Sequence, residues 1–245
     1  MKYVVVIPAR YESSRLPGKP LVNLCGVPMV VRTYRQCVQA VDPSLVYVAT
    51  DDERIRVVCE AEGIRVVMTS AACLTGTDRV AEVAMQVEAD VYINVQGDEP
   101  VFNPDDLRLL IETANSRPDD VINGYCPIHT REDFHSTSTP KVVMRPDGRL
   151  LYMSRAAIPG NKENGFVKGW RQVCAYAFPR AALLAFAEAE GKTPFEAIED
   201  IEILRFLELG WEVRMIPMSD SSIAVDHPED VSHAEAAILK LERGG

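Results

Sequence analysis

The six cysteines of this chain form no C-x-x-C pair, no apolar run reaches the length of a membrane span, and positive charge is in the minority. Cys25, Cys37, Cys59, Cys73, Cys126 and Cys174 stand far apart, mostly among apolar neighbours. That pattern reads as buried thiols rather than disulfides or a zinc site. A bilayer span needs about 20 apolar residues in succession. The first apolar run stops at Pro8, too soon for a secretory signal. A cytoplasmic protein with no membrane partner is expected. The formal net charge of −10 repels a phosphate polymer, so nucleic acid is not an expected partner. A small phosphate ligand then requires a local cluster of cations or a metal ion. The phosphate-loop pattern G-x-x-x-x-G-K-[ST] and the dinucleotide pattern G-x-G-x-x-G are both missing.

What is present is a chain of 245 residues, 47% hydrophobic and 25% charged, enough for one sizeable core. No linker, repeat or low-complexity tract divides it. Short apolar runs at 4–7, 45–49, 66–68 and 91–95 read as buried strands. Helical stretches at 29–40, from Asp51–Asp52 to about 62, and at 77–87 lie between them. This alternation predicts a parallel sheet with helices on both faces. Ligands of such sheets bind beyond the carboxyl ends of the strands, which here means residues 8–20 and 96–100. The second half changes character. Pro146-Asp147-Gly148 predicts a hairpin joining 141–145 to 149–153. Strands are expected at 171–178 and 213–217, and helices at 179–189, 195–209 and 228–241. The expectation is one domain over 1–245 with an inserted arm within 120–180.

The first loop, Pro8-Ala9-Arg10-Tyr11-Glu12-Ser13-Ser14-Arg15-Leu16-Pro17-Gly18-Lys19-Pro20, carries three cations against one acid. In so acidic a chain that concentration suits phosphate oxygens, which Arg meets with paired N–H donors. Ser13 and Ser14 add hydroxyl donors, and Gly18 allows close backbone approach. Asp98 leaves the fourth strand beside Gly97, a suitable place for Mg²⁺, which takes carboxylates and substrate phosphate oxygens. Asn103 and Asp105 stand nearer than Asp98 to the cap of the next helix. Asp226, taken alone, reads as the cap of the closing helix.

P-A-R-Y-x-S-x-R-L-P-G-K-P resembles the signature of the CMP-Kdo synthetases, the 3-deoxy-manno-octulosonate cytidylyltransferases. V-N-V-Q-G-D-E-P, T-G-T-D-R and V-D-x-P-E-D match the same family, so the resemblance spans nearly the whole chain. It implies a three-layer α/β/α fold of nucleotidyltransferase type, with a mostly parallel, Rossmann-like mixed sheet and a small dimerisation arm. It implies transfer of CMP from CTP to the anomeric hydroxyl of Kdo, an acidic 2-keto-3-deoxy sugar, for lipopolysaccharide or capsule synthesis. By this resemblance Arg10 and Lys19 hold the triphosphate and act in catalysis, with Ser13 and Arg15 nearby. Asp98 and Asp226 bind Mg²⁺, and Asp98 is catalytic. Thr77 and Arg79 border the cytosine, Thr77 doubling as a helix cap. Gln96, Lys141, Arg155, Gln172, Tyr176 and Glu199 belong to the sugar side, and the protein is a homodimer.

The family pattern K-H-[IL]-G-[IV]-Y-[AG]-Y becomes Arg171-Gln172-Val173-Cys174-Ala175-Tyr176-Ala177-Phe178. Gln for His keeps hydrogen bonding but removes a titratable group. This departure leaves open another acid, an amino-Kdo or a nonulosonic acid. A non-catalytic CTP-binding protein is the third reading, and it gives no reason to keep both aspartates. Glu196, Glu199 and Glu202 are spaced to share one helix face, turned either to the site or to water.

Overall fold

Val4, Val5, Val6 and Ile7 are β-branched, and they fill β1 (Tyr3–Pro8), an interior strand of the main sheet. The computed structural model describes residues 1–13, 15–163 and 165–244, so Ser14 lies outside the described residues. β1 pairs in parallel with β4 (Val46–Thr50) on one side and with β6 (Val91–Val95) on the other. β5 (Arg65–Met68) extends the parallel edge beyond β4. Between these strands run α1 (Met29–Cys37), α2 (Glu53–Ala61) and α3 (Gly76–Gln86). β2 (Asn23–Leu24) and β3 (Val27–Pro28) form a small ribbon just before α1.

The other half of the sheet is mixed. After β6 come α4 (Pro104–Ser116), β7 (Val121–Pro127) and the short α5 (Arg131–His135). β8 (Lys141–Met144) and β9 (Leu150–Ser154) form the hairpin expected around Pro146-Asp147-Gly148. β10 (Trp170–Pro179) runs antiparallel to β6, β7 and β8, while β11 (Val213–Pro217) lies parallel to β7. The strand order is β11-β7-β10-β6-β1-β4-β5, with the hairpin attached through β8. This is an α/β fold with a mixed sheet and helices on both faces.

Alternate residues of β1 explain the layers. Val5 and Ile7 face a core with Val30, Ile55 and Leu107, from α1, α2 and α4. Val4 and Val6 face the opposite core with Val80 of α3. That second core also takes Leu183 from α6 (Arg180–Glu188) and Phe206 from α8 (Ile203–Glu208). Phe178 stacks between Tyr176 and Phe206, with ring centroids 5.4 and 5.0 Å away. Burying one such ring contributes about 1.5–3 kcal/mol. A third, smaller core seats α9 (Pro228–Gly244) against Leu24, Met29 and Val225.

The single helix expected over 195–209 is two. α7 (Pro194–Glu199) ends at Asp200, whose φ of 52° and ψ of 50° are left-handed, and α8 starts at Ile203. The break lets Glu196, Glu199 and Glu202 point to three different partners instead of sharing a face. Glu196 grips Arg205, Glu199 bonds β9, and Glu202 bonds the start of α3. The other expected elements occur within a few residues of their expected ends.

Candidate active site

A cleft of about 410 Å³ opens beyond the carboxyl ends of β1 and β6. Its walls carry six cations, Arg10, Arg15, Lys19, Arg79, Arg155 and Lys192. Five carboxylates stand among them: Asp98, Glu99, Asp200, Glu202 and Asp226. The cleft is thus richer in positive charge than a chain of net charge −10 would place at random.

Two loops cross tightly at its floor. A Cβ on Gly97 would lie 2.6 Å from the Pro8 carbonyl oxygen, so only glycine lets the β6 loop close onto the end of β1. Gly18, at φ 68°, turns the first loop back beneath the Tyr11 ring and sends Lys19 inward. A backbone bond from Val225 N–H to the Asp98 carbonyl, 3.0 Å, then joins two loops more than a hundred residues apart in sequence.

That bond brings the two aspartates together. The Lys19 ammonium donates to Asp98 Oδ2 at 2.5 Å and to Asp226 Oδ1 at 2.9 Å. Arg15 reaches the same Asp226 oxygen at 3.2 Å. Burial pulls the Lys19 pKa down, but the two carboxylates outweigh it and the net shift is upward. Burial likewise raises Asp226, and Lys19 and Arg15 outweigh it, holding its carboxyl below the ordinary range. Asp226 is not the helix cap its sequence suggests. Asp230 takes the N–H groups of Asp226 and His227 at 2.9 and 2.8 Å, and Asn103 caps α4.

Two carboxylates converging on one ammonium form a hard, anionic oxygen pair, the donor set Mg²⁺ accepts when substrate phosphates complete its shell. Among the described residues, no group of three or more His, Cys, Asp or Glu side chains is placed to hold a metal by itself. The protein donor set therefore fits an ion shared with a phosphate ligand. Beside it, burial first and then the Asp98 charge push Glu99 up to about 7, against the bond from the Ser222 hydroxyl.

Arg10 is exposed on the cleft wall, and Gln96, Arg155, Gln172 and Tyr176 line it with Arg79. Arg79 is buried, held by the Thr69 hydroxyl and by Asp51 at 3.4 Å. Arg155 spends its guanidinium on the carbonyls of Thr137, Glu199 and Asp200, pinning β9 to the break after α7.

Four expected site residues sit elsewhere. Ser13 turns its hydroxyl to the Leu16 N–H at 3.3 Å and does not line the cleft. Thr77 is fully buried, and its N–H and hydroxyl both donate to Glu202. The cap of α3 is Thr75, which exchanges hydrogen bonds with Asp78, so Thr75 and Gly76 face the cleft instead. Lys141 is fully buried, and the Ser136 and Arg155 carbonyls take its ammonium at 2.7 and 2.6 Å. Burial lowers its pKa. Glu199 accepts from the Ser154 hydroxyl at 2.6 Å and the Arg155 N–H at 2.8 Å. Both Lys141 and Glu199 hold the walls without facing the cleft.

Lys192 and Asp200 line the cleft without having been expected there, while Glu202, left open between site and water, and Cys174, in the stretch that departs from the family pattern, line it as well. For Lys192 a signal existed, a cation just ahead of a Thr-Pro helix start, as Lys19 precedes Pro20. For Glu202 the spacing left site and water both open, and the break after Glu199 decides for the cleft.

A family model described as "Cytidylyltransferase" matches residues 4–215. The 3-deoxy-manno-octulosonate cytidylyltransferase of Geobacter metallireducens is 40% identical, with 99% of each chain covered. That of Escherichia coli is 37% identical, covering 98% of this chain and 97% of its own. A solved structure, CMP:2-keto-3-deoxy-manno-octonic acid synthetase complexed with CTP, superposes with a TM-score of 0.91 at 35% identity. It covers 98% of this chain and 99% of that one. With full-length matches in both sequence and fold, this chain belongs to the 3-deoxy-manno-octulosonate cytidylyltransferase, or CMP-Kdo synthetase, family.

Proposed function

We propose that the protein transfers CMP from CTP to the anomeric hydroxyl of Kdo, releasing pyrophosphate. The observation that carries this reading is the meeting of Asp98 and Asp226 at Lys19, beside Arg10 and Arg15, in one cleft. The sugar hydroxyl oxygen forms a bond to the α-phosphorus of CTP and gives up its proton to solvent, and the bond from that phosphorus to the bridging oxygen breaks to release pyrophosphate. Such a reaction needs positioning and charge neutralisation more than a protein nucleophile. Arg10, Arg15 and Lys19 supply cationic donors for the triphosphate oxygens. Thr75, Gly76 and Arg79 form the wall for the base. Gln96, Gln172 and Tyr176 form the wall for the sugar. Asp98 and Asp226 would hold Mg²⁺, which supplies positive charge against the reacting phosphate when bound.

A second acid as substrate is favoured by one observation. Gln172 and Cys174, where the family usually carries His and Gly, both line the cleft. The protein works in the cytoplasm in this reading, as a homodimer built through the arm within 120–180. Among the described residues, no helix is long and apolar enough to cross a membrane. Light scattering at micromolar concentration is expected to give twice the chain mass of 27.2 kDa; a monomer would refute the dimer.

The decisive experiment measures pyrophosphate release from CTP and magnesium with Kdo, an amino-Kdo and a nonulosonic acid. Kdo is expected to turn over fastest. Asp98→Asn is expected to lower turnover by at least about a thousandfold with circular dichroism unchanged. CTP binding without pyrophosphate release from any acid would replace the enzyme by a CTP-binding protein. Full activity in Asp98→Asn would remove the metal role.

A further inference from the structure

β10 has an irregularity in its pairing with β7. Val173 opposes Gly124, but the next pair is Tyr176 with Asn123, so the strand bulges over Cys174 and Ala175. A bulge leaves backbone groups without ladder partners, and buried carbonyls need donors. Asn123, on β7, supplies them. Its side-chain Nδ2 donates to the Val173 carbonyl at 2.9 Å and to the Ala175 carbonyl at 3.0 Å. Asn123 is fully buried and does not line the cleft.

This arrangement fixes the polarity of the cleft wall. Carbonyls only accept, so the Asn123 amide must turn its nitrogen toward the bulge. Its oxygen then faces Gln172, and Gln172 must answer with its own nitrogen. The Gln172 Nε2 lies 3.0 Å from Asn123 Oδ1 and 3.1 Å from the Tyr176 hydroxyl oxygen. Both amide hydrogens of Gln172 are thereby committed. What Gln172 offers the cleft is Oε1, an acceptor. Tyr176, receiving a hydrogen bond from Gln172, has its own O–H to donate, to the neighbouring Cys174 sulfur until a ligand oxygen replaces it. The Tyr176 ring is held by the Phe178 stack, which fixes where the hydroxyl oxygen stands.

We infer that Asn123 is a positioning residue for substrate selection: acting through Gln172, it presents an acceptor and a Tyr176 donor to a hydroxyl-bearing sugar acid. The inference rests on the reading of this wall as the sugar-acid side. Asn123 touches no substrate; it sets which end of the Gln172 amide the substrate meets. A sugar hydroxyl that donates to Gln172 Oε1 and accepts from the Tyr176 O–H satisfies both groups. A ligand with only acceptors at that position leaves Oε1 desolvated and unpaired, which is costly.

The test compares Asn123→Ala, Gln172→Ala and the double variant, with KM measured separately for the sugar acid and for CTP. Each single change is expected to raise the sugar-acid KM by roughly tenfold, with the CTP KM within about twofold. The double variant is expected to add less than about twofold to Gln172→Ala, because Asn123 acts through Gln172. If Gln172→Ala raises the sugar-acid KM while Asn123→Ala does not, the inference falls and the sugar-wall reading stands. If neither moves it, the sugar-wall reading fails and takes the inference with it. Equal rises in both KM values for Asn123→Ala would mark a purely structural residue and overturn the inference.

A measurement on the unaltered protein covers the case in which Asn123→Ala does not fold. The Gln172 side-chain NH₂ signals, assigned by their loss in Gln172→Ala, are expected to be protected from hydrogen exchange before any ligand is added. Exchange at the solvent rate would refute the fixed amide.

Discussion

Lys19 and Glu202 are charged residues of opposite sign on one cleft wall, and burial acts on them with different outcomes. Lys19 lies between two carboxylates and is stabilised as an ammonium by them. Glu202 is a carboxylate that burial pushes upward, against the hydrogen bonds from Thr77. A carboxyl whose folded pKa lies above its unfolded value keeps its proton at pH values where the unfolded chain has lost it. Stability then falls as pH rises through the interval between the two values. Urea unfolding from pH 4.5 to 7 is therefore expected to show the unaltered protein losing stability relative to Glu202→Gln as pH climbs. A gap that widens in the opposite direction would refute the burial account. The same scale shows why Lys141 and Glu199, assigned to the sugar side by resemblance, stand behind the wall. A cation and an acid near a sugar site suggest ligand contacts, but Lys141 has two carbonyl partners and Glu199 three donors within the protein.

Elements position these residues by close crossings. The loop after β6 meets the end of β1 at Gly97, where a single added Cβ collides with backbone rather than with a movable side chain. Gly97→Ala is expected to cost about 1–3 kcal/mol of stability. It also displaces Asp98 relative to Lys19, and a displacement near 1 Å lowers rate on the order of 100-fold. Steady-state kinetics set beside the urea midpoint separates the two effects, and kcat/KM within twofold of the unaltered protein would refute the crossing's role. The parallel half of the sheet was legible because β1 and β6 are buried on both faces and read as continuous apolar runs. β7 was not foreseen, since Val121-Ile122-Asn123-Gly124 mixes apolar residues with a buried amide and a glycine. The helix over 195–209 was read as continuous because nothing in its composition marks Asp200 as left-handed.

Across the whole molecule, Arg205 joins four helices. Standing on α8, it forks onto Glu196 of α7 at 2.6 and 2.7 Å. It also reaches Asp78 of α3 at 3.1 Å and the Phe186 carbonyl of α6 at 3.3 Å. Arg205 and Glu196 are both essentially buried, with 1% and 0% exposure, so removing one leaves the other's charge uncompensated. Arg205→Met is expected to cost about 3–5 kcal/mol, lowering Tm on the order of 10 °C. Arg205→Lys is expected to recover only part of this, because an ammonium cannot fork. Calorimetry giving a loss below about 1 kcal/mol for Arg205→Met would refute the hub. Asp78 belongs to the cap that presents Thr75 and Gly76 to the cleft, so the same network connects global stability to the base wall.

Sequence by itself determined the layered α/β architecture, the cationic first loop and the two aspartates, along with the family. These rest on local facts, apolar period, turn chemistry and motif spacing, that the chain carries wherever it folds. Tertiary structure alone decided which polar groups face the cleft. Thr77, Lys141 and Glu199 turned inward to partners 125, 14 and 45 residues away, while Glu202 and Lys192 took places on the wall. A buried polar group must find a partner wherever the fold supplies one, and that partner's position is set by packing rather than by neighbouring letters.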